Sequence, residues 1–143
     1  MYQYQKSLDE CATPRCACPP PEAVQKEEIA WRWVKNPMTD ECFLPVAERN
    51  PKRFHQANSA AERCLCWGLS MYDSEANGIS AFHALEKTCK KARQLIADHI
   101  AIGNVLAIHG STTQPSGANG HFTMFSKKGV NVKSIFQLHG PIP

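Results

Sequence analysis

The sequence has no run of about 18 consecutive apolar residues, the length a helix needs to cross a bilayer. Its opening stretch, Met1 to Glu10, is polar and lacks the apolar segment of a secretory signal. These two absences predict a cytoplasmic protein with no membrane partner, and in that compartment the seven cysteines are expected to remain reduced thiols. Strong charge is also lacking. The net charge is +3, from 16 basic and 13 acidic residues, too little for a general grip on a phosphate backbone, so nucleic acid is a partner that the charge does not support. There is no phosphate-binding loop, G-x-G-x-x-G fingerprint, nucleophile elbow or zinc-protease helix, which excludes the common nucleotide hydrolases, dehydrogenases and serine hydrolases. Cys16-Ala-Cys18 and Cys64-Leu-Cys66 have one intervening residue, whereas structural zinc sites use pairs spaced by two to four. No metal is expected, and no cofactor follows from these patterns.

What remains is a chain of 143 residues with 43% hydrophobic content, enough for one domain with its own core. Residues 1–28 contain Cys11, Cys16 and Cys18, then Pro19, Pro20 and Pro21, and show almost no apolar periodicity. They read as an irregular leader in front of a globular domain at 29–143. Ile29 to Val34 alternates as a strand, with Trp31 and Trp33 on one face and Arg32 on the other. Cys42 to Val46 reads as an edge strand or extended loop, and Pro51 to His55 as a turn. Cys64 to Tyr72 is a short, almost continuously apolar run that suits a buried strand. Phe82, Leu85, Cys89, Ala92, Leu95 and Ile96 recur at helical spacing, predicting the main helix over Ala81 to His99 with Ser80 as its cap. Strands are expected at Asn104 to His109, His121 to Ser126 and Val132 to Leu138. The order predicts an α+β fold, a largely antiparallel sheet with one main helix.

The basic residues form short groups, among them Arg49, Lys52 and Arg53, and read as solvated faces. Two histidine motifs flank one loop, His109-Gly110-Ser111 and His121-Phe122-Thr123. Two neighbouring imidazoles can act as general base and general acid in phosphodiester cleavage. The histidine-x-serine/threonine pattern resembles the paired motifs of the two-histidine phosphoesterases, where far more chain separates the motifs than the 12 positions here. A second set of residues lies along the chain as Arg32, then Ser70-Met71-Tyr72, then Glu86. This arginine, small-polar or tyrosine, glutamate order resembles that of compact ADP-ribosyltransferase-like toxins. The resemblance implies an arginine holding the pyrophosphate of NAD and a carboxylate helping to activate the sugar.

Two functional expectations follow. The first is a small intracellular protein-interaction module, an accessory, inhibitor or immunity-type protein with a protein partner. The second is a compact enzyme directed at a nucleotide or RNA, using NAD in the ADP-ribosyltransferase-like version, with Arg32, Tyr72 and Glu86 or His109 and His121 at its centre. An enzyme requires at least three of these side chains to converge in one concave pocket with shifted titration.

Overall fold

In the computed structural model, which describes residues 1–143, the strands are β1 (Glu28–Val34), β2 (Leu69–Tyr72), β3 (His99–Val105), β4 (Gly110–Thr112), β5 (His121–Ser126) and β6 (Phe136–Pro141). They form one sheet in the order β4-β5-β2-β1-β3-β6, and every pairing is antiparallel. Six short helices accompany it: α1 (Gln5–Cys11), α2 (Val46–Arg49), α3 (Pro51–His55), α4 (Ala60–Leu65), α5 (Glu75–Glu86) and α6 (Ala92–Leu95). The architecture is α+β. With 12 residues α5 is the longest helix, but it shares the helical role with five others. No helix is long and apolar enough to cross a membrane.

Both faces of the sheet are covered. On one face Ala30, Val34, Leu69, Met71, Phe122 and Met124 pack with Phe43 and Phe136. On the other, Phe82 of α5 is fully enclosed with Ile100 and Ile142, against half-buried Trp31 and Trp33. The expected alternation of β1 holds, with Arg32 on the face opposite Trp31 and Trp33, but that face is the more deeply buried one: Arg32 lies there with Ala30 and Val34 and is only 6% exposed.

The leader is more structured than its composition indicates. Leu8 of α1 is 1% exposed, Gln3 N–H donates to the Ser126 carbonyl, and Val24 bridges Thr112 on the edge strand β4. A disulfide joins Cys18 to Cys64, which corrects the expectation of reduced cysteines throughout; Cys11, Cys16, Cys42, Cys66 and Cys89 are free. The leader thus covers an edge that would otherwise expose unpaired backbone groups.

Other boundaries differ from expectation for local reasons. Residues 64–72 are the end of α4 followed by β2, because Ser59 caps α4 by accepting from the Glu62 N–H at 3.1 Å and so starts a helical turn just upstream. Ser74, not Ser80, caps α5, its Oγ accepting from the Asn77 N–H at 3.1 Å. The helical spacing beyond Glu86 carries into the separate short α6, and His99 opens β3, paired with Val34. Cys42 lies in a 3₁₀ turn (Asp40–Phe43) rather than a strand, and Pro51 occupies the first turn of α3, where its missing N–H is harmless.

Candidate functional site

The site originates in an asymmetry of β1. Toward β3 it is registered over seven residue pairs, from Glu28 with Val105 to Val34 with His99. Toward β2 a single pair is registered, Trp31 with Tyr72. Beyond that pair the strands part, and the Arg32 side chain occupies the fork. Its Nε donates to the Cys42 carbonyl at 2.9 Å and its Nη1 to the Ser70 carbonyl at 2.8 Å, while the guanidinium carbon lies 5.6 Å from the centre of the Phe43 ring. Arg32 therefore supplies a donor to the Ser70 carbonyl of β2 where the β1 ladder does not, and a second to the carbonyl of Cys42 outside the sheet.

No carboxylate pairs with Arg32. Its Nη2 makes no hydrogen bond within the protein, yet the only enclosed polar side-chain atom lacking a partner is Thr112 Oγ1, so Nη2 opens onto a cleft. Burial and the neighbouring Arg49 cation pull the guanidinium down to about 10, which leaves it charged at neutral pH. Buried charges are ordinarily paired, because desolvation is costly. A cation that is enclosed, lacks a carboxylate and opens on one side meets the physical requirements for holding an anion.

The cleft has two lobes that share Arg32, Arg49, Arg53, Ser70 and His121. One lobe, about 430 Å³, has a mixed lining that includes Gln56, Glu62 and Thr123 beside Leu44 and Leu65. The other, about 640 Å³, is lined by Trp33, Tyr72, Leu85, Leu95 and Ile96. Trp33 and Tyr72 stack at 5.3 Å, and the His121 ring meets Tyr72 edge-on at 5.4 Å. The Trp33 Nε1–H donates to the Gly78 carbonyl at 2.9 Å, which fixes this aromatic wall to α5.

Pairing of β2 with β5 delivers His121. The register sets Tyr72 opposite His121 and Ser70 opposite Thr123, and His121 Nε2 shares a 3.0 Å hydrogen bond with Ser70 Oγ. The preceding Gly120 has φ +69, and a Cβ there would come within 2.0 Å of Asp73 Oδ1, so this tight turn into β5 requires glycine. Burial holds the imidazole below its ordinary pKa and pushes the Tyr72 phenol up. His121 is thus a neutral imidazole at physiological pH, able to accept a proton.

Arg32, Tyr72 and His121 accordingly line one cleft; Glu86 and His109 do not. Glu86 is held by Arg93 at 2.7 and 3.0 Å, and Arg93 also donates to the Ile142 and Pro143 carbonyls, so this carboxylate helps to tie down the chain end. Its hydrogen bond with Arg93 keeps it below the usual carboxylate range. His109 Nδ1 accepts from the Leu106 N–H at 2.9 Å in the turn before β4, and its carbonyl accepts from Lys127 N–H. Lys127 follows β5 at the end opposite His121, roughly 20 Å away at the rise of a strand. Antiparallel register therefore separates the two histidines instead of pairing them.

Sequence reasoning missed Arg49 and Arg53 as cleft residues, having read their group as a solvated face. Their spacing of four across the Asn50-Pro51 break was the available signal. It missed Glu62 as well, the one carboxylate of the cleft, whose Oε2 accepts from Asn58 N–H at 2.9 Å. Set against known proteins, the chain matches no family, no curated protein and no solved structure.

Proposed function

We propose that this protein is a compact nucleotide-directed enzyme, ADP-ribosyltransferase-like, that takes NAD as its substrate. The observation that carries this reading is Arg32: an enclosed guanidinium in the fork between β1 and β2, without a carboxylate and with Nη2 open to the cleft. Such an open, charged donor suits an oxygen of a pyrophosphate, to which it gives a charge-assisted hydrogen bond. The aromatic wall of Trp33 and Tyr72 suits a flat heterocycle, and the lobes on either side of the shared basic waist suit the two halves of a dinucleotide.

In the transfer the bond between the ribose C1′ and the nicotinamide nitrogen breaks, its electron pair leaving with nicotinamide. A new bond forms from C1′ to an acceptor oxygen or nitrogen, which gives up a proton. The glutamate that the resemblance implies is not Glu86, which is engaged by Arg93 away from the cleft. His121, kept neutral by burial and oriented by Ser70, is the proton acceptor in this reading. The expectation of a protein-interaction module has no feature of comparable definition behind it. Incubation with NAD and quantification of released nicotinamide tests the proposal. Release by the wild type, lost in Arg32→Lys and His121→Ala, is the expected outcome; no release by the folded wild type under any acceptor condition counts against it.

A further inference from the structure

The pyrophosphate reading uses one guanidinium of the cleft, Arg32, yet three border it. Arg32, Arg49 and Arg53 all border the shared waist, none of them forms an ion pair, and neither Arg49 nor Arg53 makes a side-chain hydrogen bond. Glu62 is the only carboxylate there and is committed to the Asn58 N–H. Arg32 is the enclosed one, in the fork of the sheet, whereas Arg49 and Arg53 form a second, separate group of donors, four positions apart at the junction of α2 and α3, with Asn50 and Gln56 beside them as further polar groups. Arg49 is close enough to Arg32 to disfavour its charge, a mutual repulsion that an anion between them relieves.

We infer that Arg49 and Arg53 bind a phosphomonoester in addition to the pyrophosphate held by Arg32. This rests on the nucleotide reading above and narrows its substrate class to one bearing a terminal phosphate. A phosphomonoester carries roughly −1.5 to −2 charges near neutral pH and three acceptor oxygens, matching two arginines better than a diester does. The group has two sources, a 2′-phosphate on the dinucleotide itself or a phosphate on the acceptor molecule. Both arginines are exposed, so salt weakens the interaction and their replacement leaves the fold intact.

Titration calorimetry at low salt on the wild type and on the Arg49→Gln, Arg53→Gln double variant tests it with two probe pairs. The pairs are NADP against NAD, and ribose 5-phosphate against ribose, the latter with and without NAD present. The expected result is that one pair favours its phosphorylated member by about tenfold or more in the wild type and by less than about twofold in the double variant. Discrimination within the first pair assigns the phosphate to the dinucleotide, and within the second to the acceptor. Absence of discrimination in both pairs, or discrimination that survives in the double variant, overturns the inference. If NAD fails to bind while a phosphorylated probe binds through Arg49 and Arg53, the inference stands and the NAD reading falls.

Discussion

The two sides of β1 solve the same problem in opposite ways. Toward β3 the strand is closed by seven registered pairs and by the ring of Phe136, which lies 2.9 Å from where a Cβ on Gly103 would stand. Toward β2 it is released after one pair, and the gap holds a charged side chain that borrows two backbone carbonyls. The closed side pairs its backbone in the strand ladder. The open side leaves a guanidinium edge facing a cleft, and that unspent hydrogen-bonding capacity is what separates a binding element from a structural one.

The comparison breaks first on the closed side. Phe136→Ala removes a ring that is 4% exposed and packs on Gly103 and Phe43, and is expected to cost about 3–5 kcal/mol of stability, read from urea unfolding. A smaller loss throughout, with unchanged unfolding cooperativity, would mean the closed side is less consolidated than its register indicates. Next comes the leader. Cys18→Ser opens a bridge between residues 46 apart and is expected to cost about 2–4 kcal/mol, and because α4 carries Glu62 and Leu65 into the cleft, ligand affinity falls with it. Stability unaffected by reducing agent would show that the bridge does not hold the leader in solution.

Gly103→Ala sharpens the contrast, since its methyl must displace the Phe136 ring at an expected cost of about 1–3 kcal/mol while ligand binding at the open side is preserved. The smallest effect is the pH dependence of His121. Its folded pKa lies below the ordinary value near 6.5, so as pH falls through that value the unfolded chain takes up the proton first. This group's contribution to stability is present above that pH, declines as pH drops toward the folded pKa, and disappears from the profile in His121→Asn. A profile identical in the variant would place the imidazole in solvent.

Much of the frame was legible in the sequence. The alternation around Trp31 and Trp33 located β1, and Phe122 and Met124 located β5, because strands write their period into the chain, whereas the strand expected over Asn104 to His109 ends at Val105 and gives way to a turn. The boundaries near Cys64 and Glu86 were not legible, since a short apolar run does not distinguish a helix end from a strand and periodicity passes silently from α5 into α6. The leader was misread because its order comes from contacts with β4, β5 and Cys64, all distant in sequence. The same cause explains the site. Arg32 and Tyr72 were singled out on one line of reasoning and His121 on another, and only the pairing of β2 with β5 brings them into one cleft while sending His109 to the far end.

The central claim is that Arg32 is held open for a ligand and is not merely a plug in a split sheet. Titration calorimetry of NAD against the wild type and Arg32→Met, with thermal unfolding run on both, tests it most directly. Methionine fills the fork without the charge, so relief of the desolvated cation offsets part of the loss of the two N–H donors to the Cys42 and Ser70 carbonyls, and the stability change is expected to stay within about 1–2 kcal/mol. The account predicts saturable binding by the wild type and at least about a hundredfold weaker binding by the folded variant. Equal affinity in the two proteins, or no binding of NAD or any phosphorylated nucleotide by the wild type, would contradict it.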